Sequence, residues 1–413
     1  MLNKPISAIA KRVSSGLTPL RSNSEFWQEG TIPWLKTEQL GEKFIYSTTE
    51  KISEAALRKT SIKVYPPNTL SIAMYGEGKT RGNVSIIKRE MATNQACCNI
   101  ELDSNIANFE YVYYFLKTQY NELRNLSSGV RKNLNSEDIK NFVIRLPGNL
   151  TEQEKIAAVL SALDAKIDCN NRINAELEAM AKTLYDYWFV QLDFPDHNGK
   201  PYKSSGGKMA YNPTLKREIP ARWKDSNILA VADLLGGGTP TKKKPEYWNG
   251  SIPFLTPTDV DGTIFKFSTA DSITEEGLKK SSTKLFAKNT VFITARGSVG
   301  KLVLTGTDMA MNQSCYALRA KPDISHTYLF FLAKELIHHL EVKSSGSVFG
   351  SIVSNDIEFT NLAIPDSTVV EKYPAVVEPV FERIANNTKE NQHLTQLRDW
   401  LLPMLMNGQV RVQ

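Results

Sequence analysis

The chain contains two copies of one sequence pattern, about 220 residues apart. The first copy has Gly-Leu-Thr-Pro at 16–19 and Asn-Gln at 94–95, and the second has Gly-Gly-Thr-Pro at 237–240 and Asn-Gln at 312–313. These and other matches keep the same order in both copies, which favours a duplication over chance. The period is far too long for a solenoid, so each copy is predicted to be a whole domain with its own connector.

Each copy has a first part of about 150 residues and a second part with one long helical pattern. In the first part, Gly, Pro and Asn interrupt short apolar runs such as 69–74 and 290–294, which is typical of short strands. Helices are predicted around 109–126 and 325–342. The predicted fold class is therefore α+β, with two similar domains of mixed strands and helices.

A heptad pattern runs through the second part of each copy. Apolar residues and two asparagines recur at alternating steps of four and three over 156–188, and the pattern returns over 373–405. It predicts two long helices that form a coiled coil. In an antiparallel pairing, apolar layers face apolar layers and asparagines face asparagines when the numbers of the paired residues sum to 561. A parallel pairing at an offset of 217 residues brings the same layers together. We favour the antiparallel pairing because a two-fold relation between tandem copies places their terminal helices that way.

Asparagines occupy the polar layers of both patterns. In the antiparallel pairing, Asn170 lies opposite Asn391, and Asn174 lies opposite Asn387. Facing asparagines at buried positions fix the register of a coiled coil at a cost in stability. These four residues are the predicted register-setting residues. The alternative is that each helix packs only on its own domain.

Helix signals are less regular in the second pattern than in the first. Thr151, followed by acidic residues, predicts a cap at the start of the first helix. Pro374 is compatible with a first helical turn, whereas Pro379 and Pro403 are expected to kink or end the second helix.

These patterns predict the domain boundaries. The segments are a first domain at 1–150, a first helix at 151–190, a connector at 191–222, a second domain at 223–368, a second helix at 369–407 and a tail at 408–413. The connector is rich in turn-forming and polar residues, so we expect it to lie on the surface and contribute little to a core.

Composition limits the classes of protein to which the chain can belong. It has 413 residues, 41% hydrophobic and 23% charged, and a formal net charge of +6, which permits a polyanionic partner without requiring one. Apolar runs are too short for a membrane span, and the N-terminal residues lack the apolar stretch of a signal peptide. The four cysteines have no Cys-x-x-Cys spacing. We therefore expect a cytoplasmic protein with reduced thiols and no membrane partner.

Catalytic motifs are incomplete in this sequence. Gly-Lys-Thr at 78–80 resembles the end of a phosphate-binding loop, but Ala73 stands where that motif needs glycine. Tyr-Pro-Pro-Asn at 65–68 matches the Asn-Pro-Pro-Tyr motif of adenine methyltransferases only when reversed. The five histidines show no metal-ligand spacing. The sequence therefore predicts no catalytic residue, metal or cofactor in this chain.

Both copies instead share loops rich in side chains that recognise nucleic acids. Arg and Lys can bond guanine edges or phosphates, and Asn or Gln can bond adenine bidentately. A single Asn or Gln in such a loop is more often a turn residue, and a single Arg or Lys is more often a solvated charge. Their recurrence at equivalent places, with different residues in detail, favours two related readers of different DNA sequences. The candidate DNA-binding residues are Thr18, Lys36, Lys79, Arg81, Asn83, Asn94, Gln95, Arg131 and Lys132 in the first copy, and Thr239, Lys242, Lys243, Arg296, Ser298, Lys301, Asn312 and Gln313 in the second.

The duplicated layout resembles the specificity subunit of type I restriction–modification enzymes, over essentially the whole chain. The stretches that carry the resemblance are 152–167, 296–301 and 397–405, and the residues from 177 to 208 resemble the IC subgroup. The resemblance implies two target-recognition domains separated by two spacer helices in an antiparallel coiled coil. Each domain then reads one half of a split, asymmetric site in double-stranded DNA, and the helices set the gap.

The resemblance also implies partners. In this family the subunit binds two modification subunits, which carry S-adenosylmethionine and methylate adenine, and two restriction subunits, which use ATP and Mg²⁺. The chain itself is then expected to bind no cofactor. The outward faces of the spacer helices, together with Tyr185, Tyr187 and Phe189, are expected to dock the modification subunits.

Two other functions stay open at this point. One is a self-sufficient DNA methyltransferase with a divergent site, and the other is a protein-binding scaffold without a role on DNA. The lack of a nucleotide-binding loop favours the DNA-reading subunit over the methyltransferase.

Overall fold

The computed structural model describes residues 1–76, 78–126, 133–343 and 350–412. The chain forms two compact units, the first made of Met1–Ile167 with His393–Gln413 and the second of Asp168–Gln392. Each unit has a strand-rich part with short helices and a portion of both long helices. The predicted fold class is confirmed.

The strand-rich part of the first unit contains two larger sheets and a terminal strand pair among its described residues. The five-stranded sheet has the spatial order Ala10–Ser15, Cys97–Leu102, Leu70–Ala73, Val84–Ile87 and Phe44–Ile45. The four-stranded sheet has the order Glu50–Ile52, Ile32–Leu35, Met91–Thr93 and Val64–Tyr65. The terminal pair is antiparallel and joins Leu2–Pro5 to Val143–Leu146. The short helices are Glu54–Lys59, Phe109–Thr118, Tyr120–Asn125 and Ser136–Asn141.

The strand-rich part of the second unit is built in the same way. Its five-stranded sheet has the order Ala232–Gly236, Cys315–Ala320, Val291–Thr294, Leu302–Thr305 and Phe265–Lys266. Its three-stranded sheet has the order Asp271–Ile273, Trp248–Leu255 and Ala310–Met311. The remaining strand pairs are Lys224–Ser226 with Leu362–Ile364 and Met209–Asn212 with Arg217–Pro220. The short helices are Glu275–Lys279, His326–Lys343 and Ser354–Glu358.

The two five-stranded sheets have the same topology. Neighbouring strands pair antiparallel except at one edge, where Phe44–Ile45 pairs parallel with Val84–Ile87 and Phe265–Lys266 pairs parallel with Leu302–Thr305. The central strands are buried along their whole length, which explains the apolar runs in the sequence. The repeated sequence therefore folds into the same arrangement twice.

Both long helices are present. The first spans Leu150–Tyr185 and continues into a π-helical turn at Asp186–Val190, and the second spans Ser367–Met406. The side-chain oxygen of Asn149 accepts a hydrogen bond from the N–H of Thr151 at 2.9 Å. Asn149 therefore caps the first helix, and the predicted cap at Thr151 is wrong by two residues.

The two long helices pack against each other in opposite directions within each unit. In the first unit, Ile156 near the start of the first helix shares a core with Leu405 near the end of the second. In the second unit, Leu177 lies against the core that contains Ile384. The antiparallel arrangement is therefore the observed one.

Asparagine side chains join the two helices within the second unit. Asn170 Nδ2 donates to Asn391 Oδ1 at 2.9 Å, and Asn387 Nδ2 donates to Asn174 Oδ1 at 2.9 Å. Asn170 Nδ2 also donates to Glu390 Oε2 at 2.7 Å. Asn170 is fully buried, and Asn387 is 2% exposed. A shift of one helix along the other would separate these buried amides from their partners.

Pro379 and Pro403 both lie inside the second long helix, so neither proline ends it. Pro379 has no N–H, so the carbonyl of Ala375 receives no hydrogen bond from within the helix. Both residues are exposed, and water can bond that carbonyl. Tyr373 and Val377 on the opposite face are fully buried. Their packing offsets the local cost of the proline.

The connector and the aromatic residues before it contribute to the core of the second unit. The rings of Phe194 and Trp223 stack with centroids 5.5 Å apart. Tyr185 and Phe189 are each only 3% exposed, and Tyr187 packs against the same core. Most of the connector is nevertheless exposed, and only a few of its residues, such as Phe194, are buried in the core. The expectation of an aromatic docking strip is wrong for Tyr185 and Phe189, because their own unit covers these side chains.

We expect Asn170→Ala to lower the free energy of unfolding by about 1–3 kcal/mol, because it removes a buried amide and leaves the side chain of Asn391 without this donor. Thermal or urea unfolding of the full chain measures the effect. Asp168→Ala, at an exposed position on the same helix, is the control and should change stability by less than about 0.5 kcal/mol. Equal losses in both variants would contradict the prediction.

Candidate nucleic-acid interface

The repeated Gly-x-Thr-Pro and Asn-Gln sequences lie against each other in both units. The hydroxyl of Thr18 donates to the side-chain oxygen of Gln95, and the hydroxyl of Thr239 donates to that of Gln313. Both glutamines are exposed. Each amide is held at the surface by an equivalent bond, and its oxygen keeps a second lone pair. A bidentate contact with adenine therefore remains possible.

Glycine permits this close contact. A Cβ atom on Gly16 would lie 2.2 Å from the carbonyl oxygen of Thr93, and one on Gly237 would lie 2.2 Å from the carbonyl oxygen of Asn312. Glycine allows such a close approach of two backbone segments, and a side chain at either position would force the loop to move. The repeated glycine is therefore explained by the packing of one loop on the other.

Asn94 and Asn312 shape the turns that carry the two glutamines. The N–H of Asn94 donates to the carbonyl of Leu35 at 2.9 Å, and the N–H of Asn312 donates to that of Leu255 at 3.0 Å. The side-chain oxygen of Asn312 also accepts from the N–H of Ser314 at 3.0 Å. Both asparagines are half-buried, and their bonds support the turns that hold the glutamines at the surface.

Asn83 and Lys301 occupy equivalent positions and make equivalent bonds. Asn83 Nδ2 donates to the carbonyl of Leu40 at 3.1 Å, and Lys301 Nζ donates to the carbonyl of Val260 at 3.2 Å. Each bond ties the start of a strand to a neighbouring loop. We infer that these two candidates support the loops.

Lys36 lies between two carboxylates. Its Nζ is 2.6 Å from Glu38 and 2.8 Å from Glu50, and hydrogen bonds to Glu38 and Glu50 raise the pKa of Lys36. Glu50 also bonds Arg21, whose guanidinium lies 3.8 Å from the ring centroid of Trp27. The hydrogen bond from Arg21, followed by that from Lys36, lowers the pKa of Glu50. Lys36 is therefore charged, and the neighbouring carboxylates neutralise its charge. The ion pair between Glu50 and Lys36 was not predicted from the sequence.

The corresponding loop of the second unit is more basic at its surface. Lys242 and Lys243 are exposed, and Lys242 Nζ lies 5.7 Å from the ring centroid of Trp248. Arg21 is placed in the same way beside Trp27 in the first unit. Arg21 belongs to the recognition loop of the first copy but is not among the candidate residues, although a basic residue before the repeated tryptophan was the signal for it.

The remaining candidates lie on loops that differ between the units. Lys79 is exposed and Arg81 is half-buried, and the hydroxyl of Tyr120 donates to the carbonyl of Lys79 at 2.6 Å. In the second unit, Arg296 and Ser298 are both exposed. The two units therefore present different side chains on these loops.

The last two DNA-binding candidates and the possible metal, membrane and thiol sites remain to be described. Arg131 and Lys132 lie outside the described residues. In the part of the chain that the structure describes, no group of three His, Cys, Asp or Glu side chains could hold a metal ion, and no helix is long and apolar enough to cross a membrane. Burial raises the pKa of the free thiols of Cys97, Cys98 and Cys315 to about 12, so these thiols are poorly reactive.

Comparison with known proteins identifies the family. The profile of the type I restriction modification DNA specificity domain matches the chain twice, over residues 5–179 and 220–396. The chain therefore belongs to this family, whose specificity subunits are non-catalytic components of their complexes.

Three similar proteins illustrate the relationship. The type I restriction enzyme MjaIX specificity subunit of Methanocaldococcus jannaschii is 28% identical, over 97% of this chain and 91% of its own length. The EcoR124I/EcoR124II specificity subunit of Escherichia coli is 28% identical, over 70% of this chain and 67% of its own. The S subunit of the type I restriction–modification system from M. genitalium has the same fold, with a TM-score of 0.60, 17% identity and coverage of 98% and 95%.

We expect Gly237→Ala to lower stability by about 1–3 kcal/mol, because the added Cβ overlaps the backbone of the Asn-Gln turn. Gly236→Ala is the matched control, since a Cβ on Gly236 meets no atom within 4 Å. Thermal unfolding of the full chain compares the two variants. The same unfolding midpoint in both would show that the loops do not depend on this close contact.

Proposed function

We propose that this chain is the DNA specificity subunit of a type I restriction–modification complex and that it reads a split, asymmetric site in double-stranded DNA. The observation that carries the proposal is the exposed Thr–Gln pair, which occurs at equivalent places in both units with different neighbours. The family match to both copies supports it. In this proposal, residues 1–150 form the first recognition domain, residues 223–368 form the second, and each binds one half-site.

The neighbours of the Thr–Gln pairs give the two domains different chemistry. In the first, Glu50 neutralises part of the charge of Arg21 and Lys36. In the second, Lys242 and Arg296 are exposed. Cationic side chains contact phosphates and guanine edges. We therefore assign more of the phosphate contacts to the second domain, and the site is asymmetric because the two readers differ.

We expect Gln95→Ala to relax base preference in one half-site only, and Gln313→Ala to relax it in the other half-site only. Each lost amide contact should cost about 1–3 kcal/mol of discrimination at one base pair. The measurement is selection from a random duplex library by the full chain with its modification subunit. The two variants serve as controls for each other, and relaxation of the same half-site by both would contradict the assignment.

The two long helices act as the spacer between half-sites in this proposal. The first has 36 residues, which is about 54 Å at ~1.5 Å per residue. Half-sites one helical turn apart are separated by roughly 34 Å, which a rod of this length can span. The Asn170–Asn391 and Asn174–Asn387 pairs set the register of the helices and thereby the gap.

We expect deletion of one heptad from each helix, 170–176 and its antiparallel counterpart 385–391, to shorten the preferred gap. Seven residues are about 10 Å of helix, which is the length of about three base pairs. Duplexes that carry the wild-type half-sites at a series of gap lengths measure the change. An unchanged preferred gap would remove the spacer role of the helices.

Partner subunits supply the chemistry in the proposed complex. Two modification subunits with S-adenosylmethionine would methylate adenine, and two restriction subunits would use ATP and Mg²⁺ in the cytoplasm. The exposed side chains of Leu397 and Trp400 on the second long helix offer apolar surface for a modification subunit. We place the chain in the IC subgroup on the residues between 177 and 208.

A further inference from the structure

A cluster of polar side chains joins the strand-rich part of the first unit to both long helices. Lys43 Nζ lies 2.9 Å from Glu110 Oε1 and 3.7 Å from Asp164 Oδ2. It also donates to the hydroxyl of Tyr114 at 2.8 Å, and that hydroxyl donates to Asp164. Arg398 Nη1 lies 3.0 Å from Asp164 Oδ1. We call these five residues the polar junction.

Asp164 is the centre of the polar junction. One carboxylate oxygen faces Arg398 of the second long helix, and the other faces Lys43 and Tyr114 of the strand-rich part. The side chains of Asp164 and Lys43 are only 15% and 12% exposed. Water screens such partly buried charges less than it screens surface charges. Loss of the Asp164 charge would remove the carboxylate that Lys43 and Arg398 share, and would leave Lys43 with Glu110 and Arg398 with Asp399.

The second unit has apolar side chains where the first unit has the polar junction. The offset between the copies pairs Ile264 with Lys43, Phe331 with Tyr114, Phe381 with Asp164 and Ala181 with Arg398. All four apolar residues are buried in one core, and the rings of Phe331 and Phe381 lie with centroids 5.7 Å apart. This one contact is therefore charged in the first unit and apolar in the second, while apolar side chains of both long helices also pack against the strand-rich part of the first unit.

We propose that Asp164 is a positioning residue that holds the first recognition domain at a fixed place on the spacer helices. The inference rests on the proposed function, because a fixed place matters only if two domains must meet two half-sites at one gap. Salt weakens charge pairs, whereas it does not weaken apolar packing. The polar junction therefore makes the attachment of the first domain sensitive to ionic strength. The equivalent position of the second domain is apolar, and the ion pair between Lys334 and Glu178 in that unit is formed by other residues.

The test measures selectivity for gap length, on duplexes with the wild-type half-sites at gaps that differ by single base pairs. It uses the full chain with its modification subunit. Asp164→Asn keeps the shape of the side chain and removes its charge. We expect the preference for the best gap over its neighbours to fall roughly tenfold, or about 1.4 kcal/mol. Base preferences within each half-site should stay unchanged.

A matched control and a rescue separate positioning from stability. Asp168→Asn makes the same charge change at an exposed position of the same helix and should keep the wild-type selectivity. Transplanting the side chains of the second unit, as Lys43→Ile, Glu110→Thr, Tyr114→Phe, Asp164→Phe and Arg398→Ala together, should restore selectivity. In this variant, selectivity should fall less than in the wild type as salt is raised.

The outcomes distinguish this inference from the proposed function. If the wild type selects a split site and Asp164→Asn keeps its gap selectivity at low and high salt, the inference is wrong and the proposed function stands. A lower unfolding temperature without a change in gap selectivity would make Asp164 a stabilising residue only, which also overturns the inference. A wild-type complex that enriches no split site would overturn the proposed function and the inference together.

Discussion

The hydrogen bonds that the buried Asn170 and Asn387 make across the two long helices are the contacts on which the register of their pairing depends. Layers of leucine and isoleucine tolerate a shift by one heptad, because one apolar layer packs on another almost equally well. An amide that moves opposite an apolar side chain loses its partner, at a cost of about 1–3 kcal/mol. We therefore infer that Asn170 and Asn387 select one register from several of similar packing energy.

Periodic patterns made most of the fold predictable from the sequence. The repeat, the heptads and the short apolar runs report on local structure that each segment adopts in both copies. The continuation of the helix through Pro379 was not predictable, because it depends on the buried packing of Tyr373 and Val377. The burial of Tyr185 and Phe189 escaped prediction for a similar reason: a sequence pattern shows that a face is apolar without showing what covers it.

The candidate site was predictable as a set of loops rather than as a set of contacts. The sequence identified the repeated loops correctly, yet Thr18 and Gln95 are 77 residues apart and only the fold brings them together. Whether a polar side chain points outward or bonds the backbone depends on carbonyls elsewhere in the fold. Asn83 and Lys301 illustrate this, since two different residue types bond equivalent carbonyls in the two units.

The pairing of terminal strands affects how such a chain can evolve. Leu2–Pro5 pairs with Val143–Leu146, and Lys224–Ser226 pairs with Leu362–Ile364, so the chain enters and leaves each strand-rich part at neighbouring points. A part with adjacent ends can be replaced as a cassette while the helices keep their packing. In the proposed function, recombination between related genes creates a new bipartite specificity in one step. A new gap length, by contrast, requires insertion or deletion within the proposed spacer helices.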